Sequence, residues 1–208
     1  MARWLYPGGV TELLDDRPYH HGNLRAALLE AAEASLAEHG ADGISLRDLA
    51  REIGVSHGAP RRHFPDRQAL LDALAISGFV RLDEQIRQAI DAVAADFPSR
   101  LHAVARAYTR FATENAALLE LMYSSKHRPG AEGIVEASEA AFRMVFDLLK
   151  QGQDEGALGG EDPTETCMVL FATLQGIATM TNAGFVPGEQ LEALTDTAVT
   201  QFLRGARP

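Results

Sequence analysis

Residues 45–67 read SLRDLAREIGVSHGAPRRHFPDR, and this stretch decides the fold. Ser45 is a favourable N-cap residue, and leucine, alanine and isoleucine follow it at helical spacing. Gly54 is expected to end this first helix, because glycine readily takes a positive φ. Ser56 then caps a second helix of about two turns that ends near Phe64. A short helix held at an angle by a glycine-containing turn is the helix-turn-helix arrangement, which enters the major groove of DNA.

The composition is that of a globular protein of one or two domains. The 208 residues are 46% hydrophobic and 23% charged, and no apolar run approaches the roughly 20 residues needed to span a bilayer. The first residues lack the sustained apolar region of a secretory signal. The single cysteine, Cys167, excludes an intramolecular disulfide and a cysteine-based zinc cluster. We therefore expect a cytoplasmic protein with no metal and no cofactor.

The charge is unevenly distributed along the chain. The formal net charge is −10, with −1 over residues 17–80 and −7 over residues 81–208. Five of the seven histidines also lie within residues 17–80. The first part of the chain is much less acidic than the rest, although it is not basic. DNA binding must therefore depend on a local surface, while the acidic body suppresses nonspecific binding.

The apolar pattern predicts an all-α fold with about nine helices, three of them in an N-terminal head. Residues 1–18 are read as a flexible extension, residues 19–82 as the helix-turn-helix domain and residues 83–208 as a helical body. The first helix is expected from Leu24 to about His39, and a long helix from about Arg67 to Ala95 joins head and body. Phe97 and Pro98 are expected to break the long helix, and Pro98 or Ser99 to open the next one. The further helices are expected over residues 101–115, 116–123, 132–151, 163–182 and 187–204.

The head resembles that of the TetR family of transcriptional regulators, and the body resembles the WHG-type C-terminal domain of that family. The family's Trp-x-x-x-His-Gly signature has its counterpart here in Phe-Ala-Thr-Leu-Gln-Gly. Together the two resemblances cover about nine-tenths of the chain. In the head they are carried by residues 45–50 (SLRDLA), 54–56 (GVS), 63–64 (HF) and 65–71 (PDRQALL), and in the body by residues 107–115 (AYTRFATEN), 121–123 (LMY) and 171–176 (FATLQG).

The resemblance implies a homodimer, usually a repressor, that binds palindromic operator DNA. Residues 83–208 would then form the effector-binding and dimerisation domain. A small, largely apolar effector entering this domain would release the DNA. The two heads would have to lie about 34–36 Å apart to reach successive major grooves, and the long helix is the natural lever between body and head.

Other functional classes have weaker support. No G-x-S-x-G, P-loop or H-E-x-x-H motif is present, so an enzyme is not expected. The weak charge of the head favours one alternative, which is an activator or a helical binding protein whose head works with a protein partner.

The candidate DNA-contacting residues lie at the starts of the two short helices. Backbone N–H groups at a helix N-terminus favour phosphate, and arginine is the commonest reader of guanine. Members of the family usually have a tyrosine that contacts phosphate at the position of Arg61. Arg61 could therefore contact either phosphate or a base. The resemblance also assigns DNA-backbone contacts to His63 and Arg67. The full set is Ser45, Arg47, Ser56, His57, Gly58, Ala59, Arg61, Arg62, His63 and Arg67.

The body offers candidates for an effector pocket and for a dimer interface. Aromatic, methionine and polar side chains could line an apolar cavity, or could simply form the core. Small residues on one face of the helix over residues 163–182 predict half of a four-helix dimer interface, completed by the helix from Glu132, unless they are buried within one subunit. The pocket candidates are His102, Tyr108, Phe111, Met122, Tyr123, Phe142, Phe146, Met168, Phe171 and Gln175, and the interface candidates are Ala172, Gly176 and Thr179.

Overall fold

The computed structural model describes residues 24–94, 96–159 and 162–206, and these residues contain eight α-helices and no strand. The predicted all-α fold class is confirmed, while the predicted extension over residues 1–18 lies outside the described residues. None of the described helices is long and apolar enough to cross a membrane. The helices are α1 (Leu24–His39), α2 (Leu46–Glu52), α3 (Arg67–Asp91), α4 (Phe97–Glu114), α5 (Ala116–Ser125), α6 (Glu132–Asp154), α7 (Pro163–Asn182) and α8 (Leu191–Gly205).

Aspartate side chains begin three of the long helices. The carboxylate of Asp66 accepts a hydrogen bond from the Ala69 backbone N–H at 2.8 Å and so caps α3. Asp96 caps α4 in the same way, and Asp162 caps α7. The sequence predicted that the next helix opens at Pro98 or Ser99, and α4 begins at Phe97. The Asp96 cap is the reason, since proline is tolerated in the first turn of a helix.

The segment from Ser56 to His63, here called the recognition segment, differs from the two-turn helix that was predicted. It forms successive turns with a single 3₁₀ turn at Pro60–Arg62. The Ala59 N–H donates to the Ser56 carbonyl oxygen at 2.9 Å, and the His63 N–H donates to that of Pro60 at 2.9 Å. Pro60 has no N–H to continue an α-helical ladder back to Ser56, and Gly58 also disfavours a helix. The described chain accordingly has eight α-helices rather than about nine.

Head and body share one continuous core. Leu28 and Leu36 of α1 belong to the same buried cluster as Leu101 of α4. Helix α3, about 37 Å long, passes through this core and packs against α1, α4, α5 and α6. The predicted domain boundary at residue 82 falls inside α3, where Leu82 is fully buried, and it stays a prediction.

Two arginines tie the head to the body through polar contacts. Arg81 of α3 donates to the Glu33 carboxylate of α1 at 2.8 and 3.2 Å, and to the Asn115 side-chain oxygen at 3.0 Å. Arg128, in the loop between α5 and α6, donates to the Asp72 carboxylate of α3. Helix α3 is therefore held by the head on one side and by the body on the other.

Candidate nucleic-acid interface and body cavity

The turn between α2 and the recognition segment is fixed by local hydrogen bonds. The Ser45 hydroxyl oxygen accepts a hydrogen bond from the Asp48 N–H at 3.4 Å at the start of α2. At the other end Gly54 has a φ of +74°, and the Val55 N–H donates to the Ala50 carbonyl oxygen at 2.8 Å. This is the Schellman arrangement that closes a helix with a left-handed residue. The chain therefore leaves α2 in one defined direction.

The recognition segment is anchored on one side and exposed on the other. Pro60 is buried, and Phe64, which follows the segment, is only 2% exposed. The guanidinium of Arg25 lies 5.4 Å from the centroid of the Phe64 ring, a cation–π distance. The segment packs against α1 and α2. Its outward side carries the exposed residues Ser56, His57, Gly58, Arg61, Arg62 and His63, while Ala59 is half-buried.

Arg61 and Arg62 are exposed cations without an acidic partner among the described residues. The ion pairs of the head involve other arginines, such as Arg51 with Asp48 at 3.0 Å. Arg47 is likewise exposed at the start of α2. The recognition segment therefore has two guanidinium groups available to a polyanion, and Arg47 is exposed on the neighbouring helix α2.

Arg67, which was predicted to contact the DNA backbone, makes hydrogen bonds within the head, and its DNA contact stays a prediction. Its Nε donates to the Ile44 carbonyl oxygen at 3.0 Å, and its guanidinium also donates to the Ala41 carbonyl oxygen. Asp42 lies 3.7 Å away. These bonds tie the start of α3 to the turn before α2. Arg67 thus stabilises the head through two backbone oxygens, although its side chain stays 41% exposed.

The body contains a cavity of about 610 Å³ lined by residues from α5, the following loop, α6 and α7. Its volume lies in the usual range for small-molecule sites. Six of the predicted pocket residues line it, namely Tyr123, Phe142, Phe146, Met168, Phe171 and Gln175. The sequence did not predict Lys126, His127, Glu139, Arg143, Thr164 or Cys167, which also line it.

Phe171 is the centre of an aromatic cluster on the cavity wall. Its ring centroid lies 5.5 Å from that of Phe142 and 6.0 Å from that of Tyr123, both in edge-to-face geometry. Tyr108 lies 5.6 Å away behind it. Such pairs contribute beyond their burial and fix ring orientation. The cavity therefore has a rigid aromatic wall on α7.

A small polar group lies at the edge of this aromatic cluster. The Tyr108 hydroxyl donates to the Gln175 side-chain oxygen, and the Tyr108 and Tyr123 hydroxyl oxygens lie 3.2 Å apart. Burial raises the pKa of Tyr123 to about 12 and raises the pKa of Tyr108 further. Both phenols are therefore neutral at physiological pH. Burial also raises the pKa of the Cys167 thiol, so this half-buried cysteine is not an activated nucleophile.

Four predicted pocket residues do not line the cavity, namely Tyr108, which lies behind Phe171, and Phe111, Met122 and His102. Phe111 and Met122 are fully buried in the core, and Met122 packs against Gly78 of α3. His102 lies on α4 with its Nδ1 3.2 Å from the Asp196 carboxylate of α8. Helical spacing identified these residues as inward-facing, but it could not separate cavity wall from solid core.

A sequence signal for the missed residues existed in the spacing on α6. Glu139, Phe142, Arg143 and Phe146 occupy positions i, i+3, i+4 and i+7, which form one helical stripe. The sequence predicted only the aromatic members as pocket residues. The same periodicity also places the charged members, Glu139 and Arg143, at the cavity. No group of residues that could hold a metal ion occurs within the described parts of the chain.

The outer face of α7 is exposed and largely apolar. The predicted interface residues Ala172, Gly176 and Thr179 are all exposed, so burial within one subunit does not explain them. Met168 and Met180 on the same helix are 60% and 49% exposed. A side-chain atom added at Gly176 would meet nothing within 4 Å. The face is therefore open to close approach by another helix.

Comparison with known families identifies both parts of the chain. Residues 28–74 match the family of bacterial regulatory proteins named after tetR, and residues 101–202 match the tetracyclin repressor-like C-terminal domain. The chain therefore belongs to the TetR family of bacterial regulatory proteins.

Individual relatives agree with this family. The HTH-type transcriptional regulator Rv1816 of Mycobacterium tuberculosis is 33% identical over 136 residues, which are 62% of this chain and 57% of that protein. The chain thus spans little more than half the length of this regulator. The HTH-type transcriptional repressor KstR2 of the same species is 28% identical over 64% of this chain and 68% of that protein.

Solved structures share the fold over nearly the whole chain. A protein of unknown function from Rhodococcus sp. RHA1 is 44% identical, with a TM-score of 0.85 over 92% of this chain and all of that one. The fatty acid degradation regulator FadR from Bacillus halodurans is 21% identical, with a TM-score of 0.71 over 88% of this chain and 99% of that one. The second likeness concerns the fold alone.

Proposed function

We propose that this chain is a homodimeric transcriptional repressor that binds a palindromic operator through its recognition segment and releases it when a small molecule occupies the body cavity. The observation that carries the proposal is the pair of exposed guanidinium groups on Arg61 and Arg62, without acidic partners in the described chain. They lie on a segment anchored by Pro60 and Phe64. A rigid anchor is what sequence reading requires, because base contacts need fixed geometry.

The contacts between cavity and head support ligand-dependent release. Lys126 and His127 line the cavity, and the next residue, Arg128, donates to Asp72 near the head end of α3. A ligand that shifts this loop therefore pulls on the helix that carries the head. Family members described as repressors, such as KstR2, make repression the expected direction of regulation.

The exposed outer face of α7 supports dimerisation. Two copies of this face would bring Ala172, Gly176 and Thr179 together, and small residues allow helices to approach closely. A two-fold dimer presents two recognition segments to two half-sites of a palindrome. In this proposal α6 completes the interface, as predicted from the sequence.

DNA binding is tested by titrating the purified full chain against the DNA that flanks its own gene, across a salt series. The double variant Arg61→Ala, Arg62→Ala is compared with Arg87→Ala, Arg110→Ala, which removes two exposed arginines of the body. We expect salt-dependent, sequence-specific binding. The head variant should lose about 100-fold or more in affinity, since base-contacting arginines contribute about 1–3 kcal/mol each. The body variant should retain binding.

Equal losses in the two double variants would contradict the assignment of the recognition segment. A protein with no sequence preference in selection from random DNA would overturn the proposal. In that case the head would work with a protein partner.

A further inference from the structure

We propose that the effector of the body cavity is an apolar carboxylic acid whose carboxylate binds Arg143 and Lys126. The inference rests on the proposed function in one respect, which is that the cavity is the effector site. It names the chemical class of the ligand, which neither the family nor its relatives determine for this chain.

The charges that line the cavity are mostly positive. Lys126, His127 and Arg143 are basic residues, and Glu139 is the only acid among the described residues of the lining. Glu139 and Arg143 stand one helical turn apart on α6, yet no ion pair joins them within 4.0 Å in the described structure. This excess occurs in a chain whose formal net charge is −10. The lining therefore favours an anion.

Lys126 is the basic lining residue that gains most from a negatively charged partner. Its side chain is half-buried, and its Nζ lies 5.9 Å from the centroid of the Phe79 ring, a cation–π contact. No carboxylate of the described chain lies within 4.0 Å of it. A partly desolvated ammonium without a carboxylate gains more from an incoming anion than a solvated surface lysine does. Arg143, which is exposed, can donate two hydrogen bonds to the ligand carboxylate.

The interior of the cavity accepts an apolar body and offers hydrogen-bond donors. Phe142, Phe146, Met168 and Phe171 supply aromatic and thioether surface, which suits an apolar ligand. The Gln175 side-chain oxygen accepts a hydrogen bond from the Tyr108 hydroxyl, and its amide N–H groups can donate to a ligand. These donors suit acceptor atoms such as carboxylate oxygens. Among the described lining residues, Glu139 is the only acidic partner for an ammonium ligand.

Two matched ligand series test the proposal by isothermal titration calorimetry on the full chain without DNA. One series is decanoate, decanol and decylammonium, and the other is 4-phenylbutyrate, 4-phenylbutanol and 4-phenylbutylammonium. The first series has a linear apolar tail and the second an aromatic one, so the two series show which kind of apolar body the cavity accepts. We expect at least one carboxylate to bind about tenfold or more tightly than the alcohol and the amine of its series.

A charge reversal at the cavity provides the decisive variant. Arg143→Glu should weaken carboxylate binding by about tenfold or more and shift the preference toward the ammonium ligand. Lys150→Glu reverses a charge on the same helix outside the cavity and should leave the preference unchanged. Both residues are exposed, so neither variant should disturb folding, and circular dichroism would confirm this. Equal binding of alcohol and carboxylate, an unchanged preference in Arg143→Glu, or no binding by either carboxylate would overturn the proposal.

A parallel operator titration separates this inference from the proposed function. A carboxylate that binds preferentially without altering DNA affinity leaves the ligand class standing and contradicts ligand-driven release. A protein that binds operator DNA but prefers decylammonium keeps its DNA-binding function and loses the proposed ligand class.

Discussion

Gly152 of α6 is buried directly against the ring of Phe97. A Cβ at this position would lie 2.5–2.9 Å from three ring atoms, and an aromatic ring in a packed core has little room to move. We expect Gly152→Ala to destabilise the protein by about 1 kcal/mol or more, since overpacking costs about 1–3 kcal/mol and exceeds the gain in helix propensity. The midpoint of thermal unfolding, followed by circular dichroism, measures the effect.

Gly133→Ala on the same helix is the matched control. A Cβ there would meet only Ile76 Cδ1 at 3.5 Å, an ordinary contact. It should leave the midpoint unchanged or raise it slightly. If both alanines had the same effect, the contact with Phe97 would not limit the size of residue 152.

At the residue scale, sequence reasoning located the exposed cations of the head better than it assigned their roles. Arg61 and Arg62 follow a glycine turn at a spacing that places them outside, and they are exposed. Arg67 has the same chemistry but bonds to backbone oxygens more than 20 residues away in the chain. Such long-range acceptors become visible only when the chain is folded, so residue type alone could not separate these arginines.

The packing of α4 against α8 depends on a charge cluster around Asp196. Its carboxylate accepts hydrogen bonds from Arg106 at 2.6 and 2.5 Å and lies 3.2 Å from His102. The hydrogen bonds from Arg106, with those from His102, lower the pKa of Asp196. A carboxyl group with a lowered pKa in the folded state stabilises the fold above its unfolded pKa of about 4. That contribution is lost as the pH falls through the folded value.

Asp196→Asn should therefore destabilise the protein at pH 7, and its effect should shrink as the pH falls below about 4. We expect about 0.5–1 kcal/mol at pH 7, because the partners are partly exposed and solvent screens the pair. Urea unfolding at pH 7, 5 and 3 tests this dependence. Glu120→Gln on α5, an exposed carboxylate without an ion pair in the described structure, is the control and should behave alike at all three values. A constant difference between Asp196→Asn and the parent across pH would contradict the linkage.

At the element scale, most helices could be predicted because their signals are local. Asp66, Pro163 and the apolar periodicity behind them give starts that agree with α3 and α7. The recognition segment was the exception, since Ser56 suggested a cap while Gly58 and Pro60 replaced the helix by turns. Local rules conflict there, and packing of Pro60 against α1 and α2 decides the outcome.

At the scale of the whole molecule, the exposed face of α7 predicts a dimer that a single substitution on this face should dissociate. Gly176→Arg would place a long cation where two helices should meet, and nothing within 4 Å opposes the new side chain in the subunit itself. We expect a folded monomer by sedimentation velocity, with loss of tight binding to a two-half-site operator.

Gln88→Arg adds the same charge on an exposed position of α3 and should remain dimeric. A parent protein that is monomeric at micromolar concentration would contradict the assignment of this face. So would a dimer that tolerates Gly176→Arg.

At this scale the cavity was the least predictable feature. The sequence identified its aromatic wall through Phe142, Phe146 and Phe171, but not its cationic members. A cavity is space that packing leaves unfilled among α5, α6 and α7. That space depends on how three separate helices meet, and periodicity within one helix carries no information about it.

The continuous core has a consequence for modular exchange of heads among relatives. A chimaera joined at residue 82 would cut α3 between Phe79 and Ile86, where both side chains are almost fully buried. It would also separate Arg81 from Asn115. A transplanted head would therefore need a body whose α3 and α5 surfaces match it. Heads and bodies of this kind should be inherited as pairs, and specificity for DNA should change by substitutions on the recognition segment rather than by exchange of whole domains.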